Sequence, residues 1–232
     1  KIHNLDKYGK LTAGWQPKIT ESAVELPVKY FRVGSKDYLV YSDRKHTYVV
    51  DRQGKERIKI KEEFTHSGNA VFFIKDKNGS PVLVTTDEKG QIRLMSLDGS
   101  SKKMSMGTFS GGHLFMPVEV SGAEPTEFLF VDGKTASLYD FSGNQIFTKE
   151  LNILTDIAPS LKTFGNERVI ELFSTTENKA MLVRSDGTEF SFQLPEKYSL
   201  QSIGIFDHKS SVGNLLTCSP DNVLYNFQLI IK

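Results

Sequence analysis

The chain has 232 residues, 38% hydrophobic and 25% charged, with 29 Lys and Arg against 28 Asp and Glu. That composition belongs to a folded globular chain with a sizeable core, and a net charge of +1 supplies no field for nucleic acid or an anionic membrane. Cys218 is the only cysteine, so an internal disulfide and a cysteine-built zinc site are both excluded. No apolar run approaches the length of a membrane span and no signal peptide begins the chain. A start at Lys1, already within a strand-like pattern, leads us to expect part of a longer bacterial protein, a start that would also hide any export signal. The expected location is extracytoplasmic, in the periplasm or cell envelope.

In chain order, one unit of strand, turn and strand is written repeatedly. Residues 47–61, TYVVDRQGKERIKIK, show it best. Thr47 to Val50 are β-branched or aromatic and suit a buried strand. Asp51 and Gly54 form the turn: the carboxylate accepts from backbone N–H groups two residues on, and glycine supplies a positive φ. The outgoing residues 56–61 alternate charge with Ile58 and Ile60, as a strand with one wet face does. Aspartates recur at Asp6, Asp51, Asp98, Asp140 and Asp186, with Asn226 as a degenerate sixth, at spacings of 45, 47, 42, 46 and 40. A period of roughly 44 residues is that of a four-stranded propeller blade.

Each unit repeats one internal order. First strands are expected at 24–33, 70–75, 115–120, 159–164 and 202–206, and second strands at 38–41, 82–85, 128–131, 169–173 and 214–218. Third strands follow at 47–50, 92–97, 136–139, 180–183 and 223–229, and fourth strands at 55–61, 102–106, 145–151 and 189–194. Second strands are nearly continuous apolar runs, as expected when neighbouring sheets cover both faces. Fourth strands are the most polar. First strands carry Pro27, Pro117 and Pro159, which suit an edge because proline cannot donate to a ladder. The reading is an all-β propeller of four-stranded antiparallel blades in a single domain over 1–232. Five blades is the most economical count if residues 10–15 complete the last unit; otherwise the chain is part of a six- to eight-bladed ring.

The turns at 5–10 (LDKYGK) and 50–55 (VDRQGK) resemble those of quinoprotein-like (PQQ-like) and related YVTN/WD40-like propeller repeats. The resemblance implies the fold. Most units lack that family's tryptophan, no WD dipeptide occurs, and no quinone or other cofactor and no catalytic residue is carried over.

In a propeller the loops from fourth to first strands and from second to third strands share one face. His46, His66 and His113 fall there, in loops that include FTHSGN (64–69) and FSGGH (109–113). They are the candidate ligand-binding residues of a polar rim. The plainer reading is that Phe64 and Phe109 wedge between blades while Ser and Gly make the turns. A three-histidine metal site is not expected from non-equivalent positions on separate blades. Glu62, Glu63, Glu119, Glu124, Asp156 and Glu171 are acidic but show no paired arrangement, and no phosphate loop, HExxH, GxSxG or calcium-loop pattern is present. The sequence therefore reads as a non-catalytic binding or scaffolding module whose partner is a protein or small ligand at one face. The competing reading is a glycoside-active or quinone-dependent propeller enzyme with its site at the channel mouth.

Overall fold

The computed structural model describes every residue except 1, 17–18, 70–71, 78–79, 121–126, 165–166, 194–198, 205–211, 219–222 and 231–232. The chain divides into two compact units, Lys1–His113 and Leu114–Lys232. Among the described residues every regular element is a strand, and no helix is long and apolar enough to cross a membrane.

The first unit holds two four-stranded antiparallel sheets. One is β1 (Lys29–Val33), β2 (Lys36–Ser42), β3 (Thr47–Val50) and β4 (Glu56–Lys59); the other is β5 (Phe73–Lys77), β6 (Ser80–Thr86), β7 (Ile92–Ser96) and β8 (Ser101–Met104). The second unit repeats the design with β9 (Leu114–Val118), β10 (Glu127–Asp132), β11 (Thr135–Tyr139) and β12 (Gln145–Glu150), then β13 (Ser160–Phe164), β14 (Glu167–Ser174), β15 (Lys179–Val183) and β16 (Glu189–Gln193). It ends in a three-stranded sheet of β17 (Ser199–Gly204), β18 (Val212–Cys218) and β19 (Leu224–Ile230). Each sheet runs in chain order, strand against next strand. The expected strands of the five units occur, with boundaries moved by a few residues, but residues 10–15 form no strand and Leu11 makes only an isolated bridge to Leu5. Pro117 lies on the edge strand β9, as its missing N–H requires, while Pro27 and Pro159 fall just outside β1 and β13.

Packing follows from the period-2 alternation of each strand. On one face of the first sheet Tyr38, Val40, Val49 and Ile58 meet Phe64, Phe72, Leu83 and Met95, so a core lies between the first and second sheets. On the opposite face Tyr41 and Val50 pack with Trp15. The inner strands are thus covered on both sides, which is why they read as unbroken apolar runs. In the second unit Phe115 contacts Phe128 and Phe130 at ring separations of 6.0 and 5.1 Å, and Leu129, Leu138, Leu172 and Met181 are buried as well.

The third-to-fourth-strand turns correct one feature of the repeat. In the turn of the first sheet Gly54 N–H donates to Asp51 O, while Gln53 and Lys55 N–H donate to Asp51 Oδ1. In the second and fourth sheets the same backbone bonds run from Gly99 to Ser96 and from Gly187 to Arg184. There Asp98 and Asp186 stand two residues later in a turn of equal length. The true frame is the glycine, at Gly9, Gly54, Gly99, Gly143 and Gly187, all with φ between 76° and 93°.

Candidate functional site

The site is built in the first unit where segment 64–68 crosses two second-to-third-strand loops. Phe64 and His66 N–H donate to Lys45 O and Arg44 O on one side. On the other, Ser67 N–H donates to Thr86 O and Glu88 N–H donates to Thr65 O. Ser67 Oγ also reaches Gly111 O at 3.4 Å. The segment therefore ties the ends of the two sheets together, and beside it opens a cleft of about 480 Å3. Its lining includes Glu25, Ser42, Asp43, Arg44, His66 and Glu88.

Asp43 is the organiser. Its Oδ1 accepts from Lys45 N–H at 3.0 Å and His46 N–H at 2.8 Å. Its Oδ2 accepts from Glu21 N–H at 3.0 Å, Ser22 N–H at 3.4 Å and Tyr48 Oη at 2.7 Å. Burial pushes this carboxyl up, yet the donors at His46, Tyr48, Lys45 and Ser22 together hold it well below the ordinary range. Burial also raises the Tyr48 hydroxyl to about 12, with its bond to Asp43 acting in the same direction. Asp43 thus fixes one wall of the cleft, residues 21–22, to the loop that carries Arg44.

The second sheet repeats the arrangement with Asp87, whose Oδ1 accepts from Lys89 and Gln91 N–H and whose Oδ2 holds Arg93 Nη2 at 2.6 Å. The Arg93 guanidinium also reaches Glu62 at 2.5 Å and lies 4.8 Å from the centre of the Phe64 ring. Phe64 is part of the core, as the wedge reading required.

The three histidines have separate surroundings. His46 Nδ1 faces Asp43 at 3.3 Å and Glu21 at 3.8 Å, and its Nε2 faces Glu63 at 3.4 Å. His113 is wholly buried, with Nδ1 2.6 Å from Ser110 O and Nε2 2.9 Å from Thr86 Oγ1. A carbonyl can only accept, so Nδ1 carries the proton and Nε2 accepts from the threonine. Both ring nitrogens are occupied in holding the loop. His66 alone of the three lines the cleft. Its Nε2 is 3.2 Å from Thr47 Oγ1, and its buried Nδ1 has no hydrogen-bond partner. Burial drives this imidazole down to about 4, with Asp43 pulling upward and Arg93 pushing further down. It is neutral at pH 7. Among the described residues no three His, Cys, Asp or Glu side chains are placed to share a metal ion.

Ser42 supplies a second unsatisfied atom: its Oγ is buried without a partner. Ser42 and His66 are only 3% and 8% exposed, so both atoms are withheld from bulk water while their residues face a cavity. Sequence reasoning missed Ser42, Asp43, Glu25 and Glu88. A signal for the first two was available, because a hydroxyl residue followed by Asp closes the second strand twice, as Ser42-Asp43 and Thr86-Asp87.

The strand order and four-stranded antiparallel sheets define a β-propeller. No family model matches the chain, and no curated protein sequence does. Solved structures do. BBS1N in complex with ARL6DN is similar at 10% identity and a TM-score of 0.53, over 82% of this chain and 60% of that one. A catalytically inactive virginiamycin B lyase from Staphylococcus aureus, solved with quinupristin, is 14% identical with a TM-score of 0.52, over 96% and 75%. Hsv2 from Kluyvelomyces marxianus is 14% identical with a TM-score of 0.54, over 99% and 72%. The chain spans about 60% of the BBS1N chain it resembles. At these identities the likeness shows the fold and nothing finer.

Proposed function

We propose that this propeller is a non-catalytic binding module and that the cleft beside His66 is where it engages a protein partner or ligand. The observation that carries this reading is the pair of buried, unpartnered polar atoms, Ser42 Oγ and His66 Nδ1, on residues lining a cavity of about 480 Å3. A buried polar atom without a partner costs about 1–3 kcal/mol, which a ligand bonding to it recovers. The volume lies in the range of ordinary ligand sites, about 300–1,000 Å3. Asp43 and His113 are engaged in holding loops together. Among structural neighbours, BBS1N is a propeller seen in complex with another protein, which makes protein binding a reasonable use of the fold. Within the propellers, we place the Asp-x-x-Gly-Lys turns at 6–10 and 51–55 with the quinoprotein-like and YVTN/WD40-like repeats.

Site-specific photo-crosslinking in cells of the source organism tests the reading. A benzoylphenylalanine placed at Thr65 or Glu88, on the cleft, is expected to give a discrete adduct, whereas one at Lys59 or Lys103, on fourth strands, gives none. Equal adducts from both pairs of positions, or adducts from the fourth strands alone, overturn it.

A further inference from the structure

The chemistry of the cleft points to one class of ligand. Ser42 Oγ can accept a hydrogen bond. So can His66 Nδ1 in the tautomer whose Nε2–H donates to Thr47 Oγ1. Glu25 and Glu88 stand exposed among the lining residues, and neither side chain has a hydrogen-bond or ionic partner among the described residues. Asp43 adds a third carboxylate; its oxygens are occupied, but apart from His46 its partners are neutral donors, so its charge still acts on the cavity. Against these three acids the lining offers one cation, Arg44.

A ligand for this site therefore brings positive charge and hydrogen-bond donors. An ammonium has three donors and no acceptor, and a guanidinium has five donors, so either can satisfy Ser42, His66 and a carboxylate together. An anionic ligand would meet three carboxylates and one arginine. A neutral one would leave both unpaired glutamates without a role. The neutrality of His66 completes the match, because a protonated imidazole would repel the cation and lose its acceptor atom.

We propose that the cleft takes a basic side chain, the ammonium of a lysine or the guanidinium of an arginine, carried on a protein partner. The proposal rests on the binding-module reading above. Glu25 and Glu88 pair with the cation at the mouth, while Ser42 Oγ and His66 Nδ1 accept from it in the interior. Arg44, exposed and without a hydrogen-bond or ionic partner of its own among the described residues, presents a donor to the backbone carbonyls that flank the inserted side chain.

The test titrates the whole chain with the blocked peptide acetyl-Gly-Ala-Lys-Ala-Gly-amide, its arginine, norleucine and glutamate counterparts, and free n-butylamine, following the His66 imidazole and the Thr65–Gly68 amides by NMR. The lysine and arginine peptides are expected to move these resonances and to bind at least about tenfold more tightly than the norleucine peptide, a preference that shrinks with salt. The exposed double variant Glu25→Gln/Glu88→Gln is expected to lose about tenfold in affinity for the lysine peptide with its Tm unchanged. The Ser42→Ala variant, with the same fold by NMR, is expected to lose about threefold or more. If the norleucine or glutamate peptide binds the cleft as well as the lysine peptide, the basic class is wrong while the binding-module reading stands. If n-butylamine binds as tightly as the lysine peptide, the ligand is a free amine and the protein-borne assignment is overturned. If no probe moves these resonances, the proposal and the reading beneath it both fall.

Discussion

Gly54 lies against Trp15: a Cβ at Gly54 would come within 3.3 Å of Cζ3 of the indole and 2.5 Å of the Gln16 carbonyl oxygen. The backbone there has φ of 81°, in the left-handed region. Gly9 occupies the same place in its own turn with φ of 76°, but nothing lies within 4 Å of its would-be Cβ. The two positions separate backbone strain from packing. Gly9→Ala should cost about 1 kcal/mol for the conformation alone, and Gly54→Ala about 2–4 kcal/mol because a backbone oxygen cannot move aside cheaply. Urea melts with unchanged m-values would show the difference as a larger fall in midpoint for the second variant.

The same glycines explain how far the sequence was legible. Blade order, strand count and turn positions follow from apolar runs and punctuation, which are local properties and visible in one dimension. The aspartate frame gave spacings of 45, 47, 42 and 46 over its first five members. The glycine frame gives 45, 45, 44 and 44, since the positive φ is fixed by the turn while the carboxylate can cap it from either of two places. The site was less legible. His66 was singled out with His46 and His113, yet only the fold distinguishes the one histidine whose second nitrogen is left without a partner. Glu25 precedes its nearest strand by several residues, and its place beside Ser42 and Glu88 depends on long-range closure that no periodicity encodes.

Arg93 should be a costly charge to alter in the first unit. Its guanidinium, side chain only 10% exposed, holds Asp87 and Glu62 and covers the Phe64 ring. Lysine brings a single point donor and cannot keep both carboxylates while stacking on the ring. We expect Arg93→Lys to destabilise by about 2 kcal/mol and Arg93→Met by about 3–5 kcal/mol, since the latter leaves Asp87 buried and uncompensated. Thermal melts order the variants; a Met variant as stable as wild type would show that apolar packing on the Phe64 ring supports the loop without the cation or its ion pairs.

His66 gives a pH dependence with a definite sign. Its native pKa, about 4, lies below the ordinary value of 6.5 because burial disfavours the charged ring. Between those two values the unfolded chain binds the extra proton, so stability falls as pH drops from about 6.5 to about 4 and the loss is complete below that. The ceiling of the effect is about 3 kcal/mol. In NMR titrations the His66 imidazole should keep its neutral chemical shift at pH 5, and His66→Gln should flatten the stability profile across this window. A His66 midpoint near 6.5 would contradict the buried, neutral state on which its role as an acceptor depends.

Asp43 titrates with the opposite dependence on charge and the same direction in pH. Its folded pKa is depressed below the unfolded value, so its contribution is fully present above the ordinary carboxylate range and is lost as pH falls toward the lower native value. Asparagine is nearly the same size, but it can keep only one of the two accepting oxygens. Its amide, placed at Oδ2, would point N–H groups at the N–H groups of Glu21 and Ser22; placed at Oδ1, it would meet those of Lys45 and His46. Either orientation sets donor against donor. Asp43→Asn should therefore cost about 2–3 kcal/mol and remove the acid-dependent part of stability between about pH 4 and pH 2 that this group supplies. Hydrogen exchange is the sharper readout, because the loss is local: the Glu21, Ser22 and His46 amides should lose protection together, while the β10 and β14 amides of the second unit keep theirs. Protection unchanged at Glu21 and Ser22 would mean that residues 21–22 are held in place without the carboxylate.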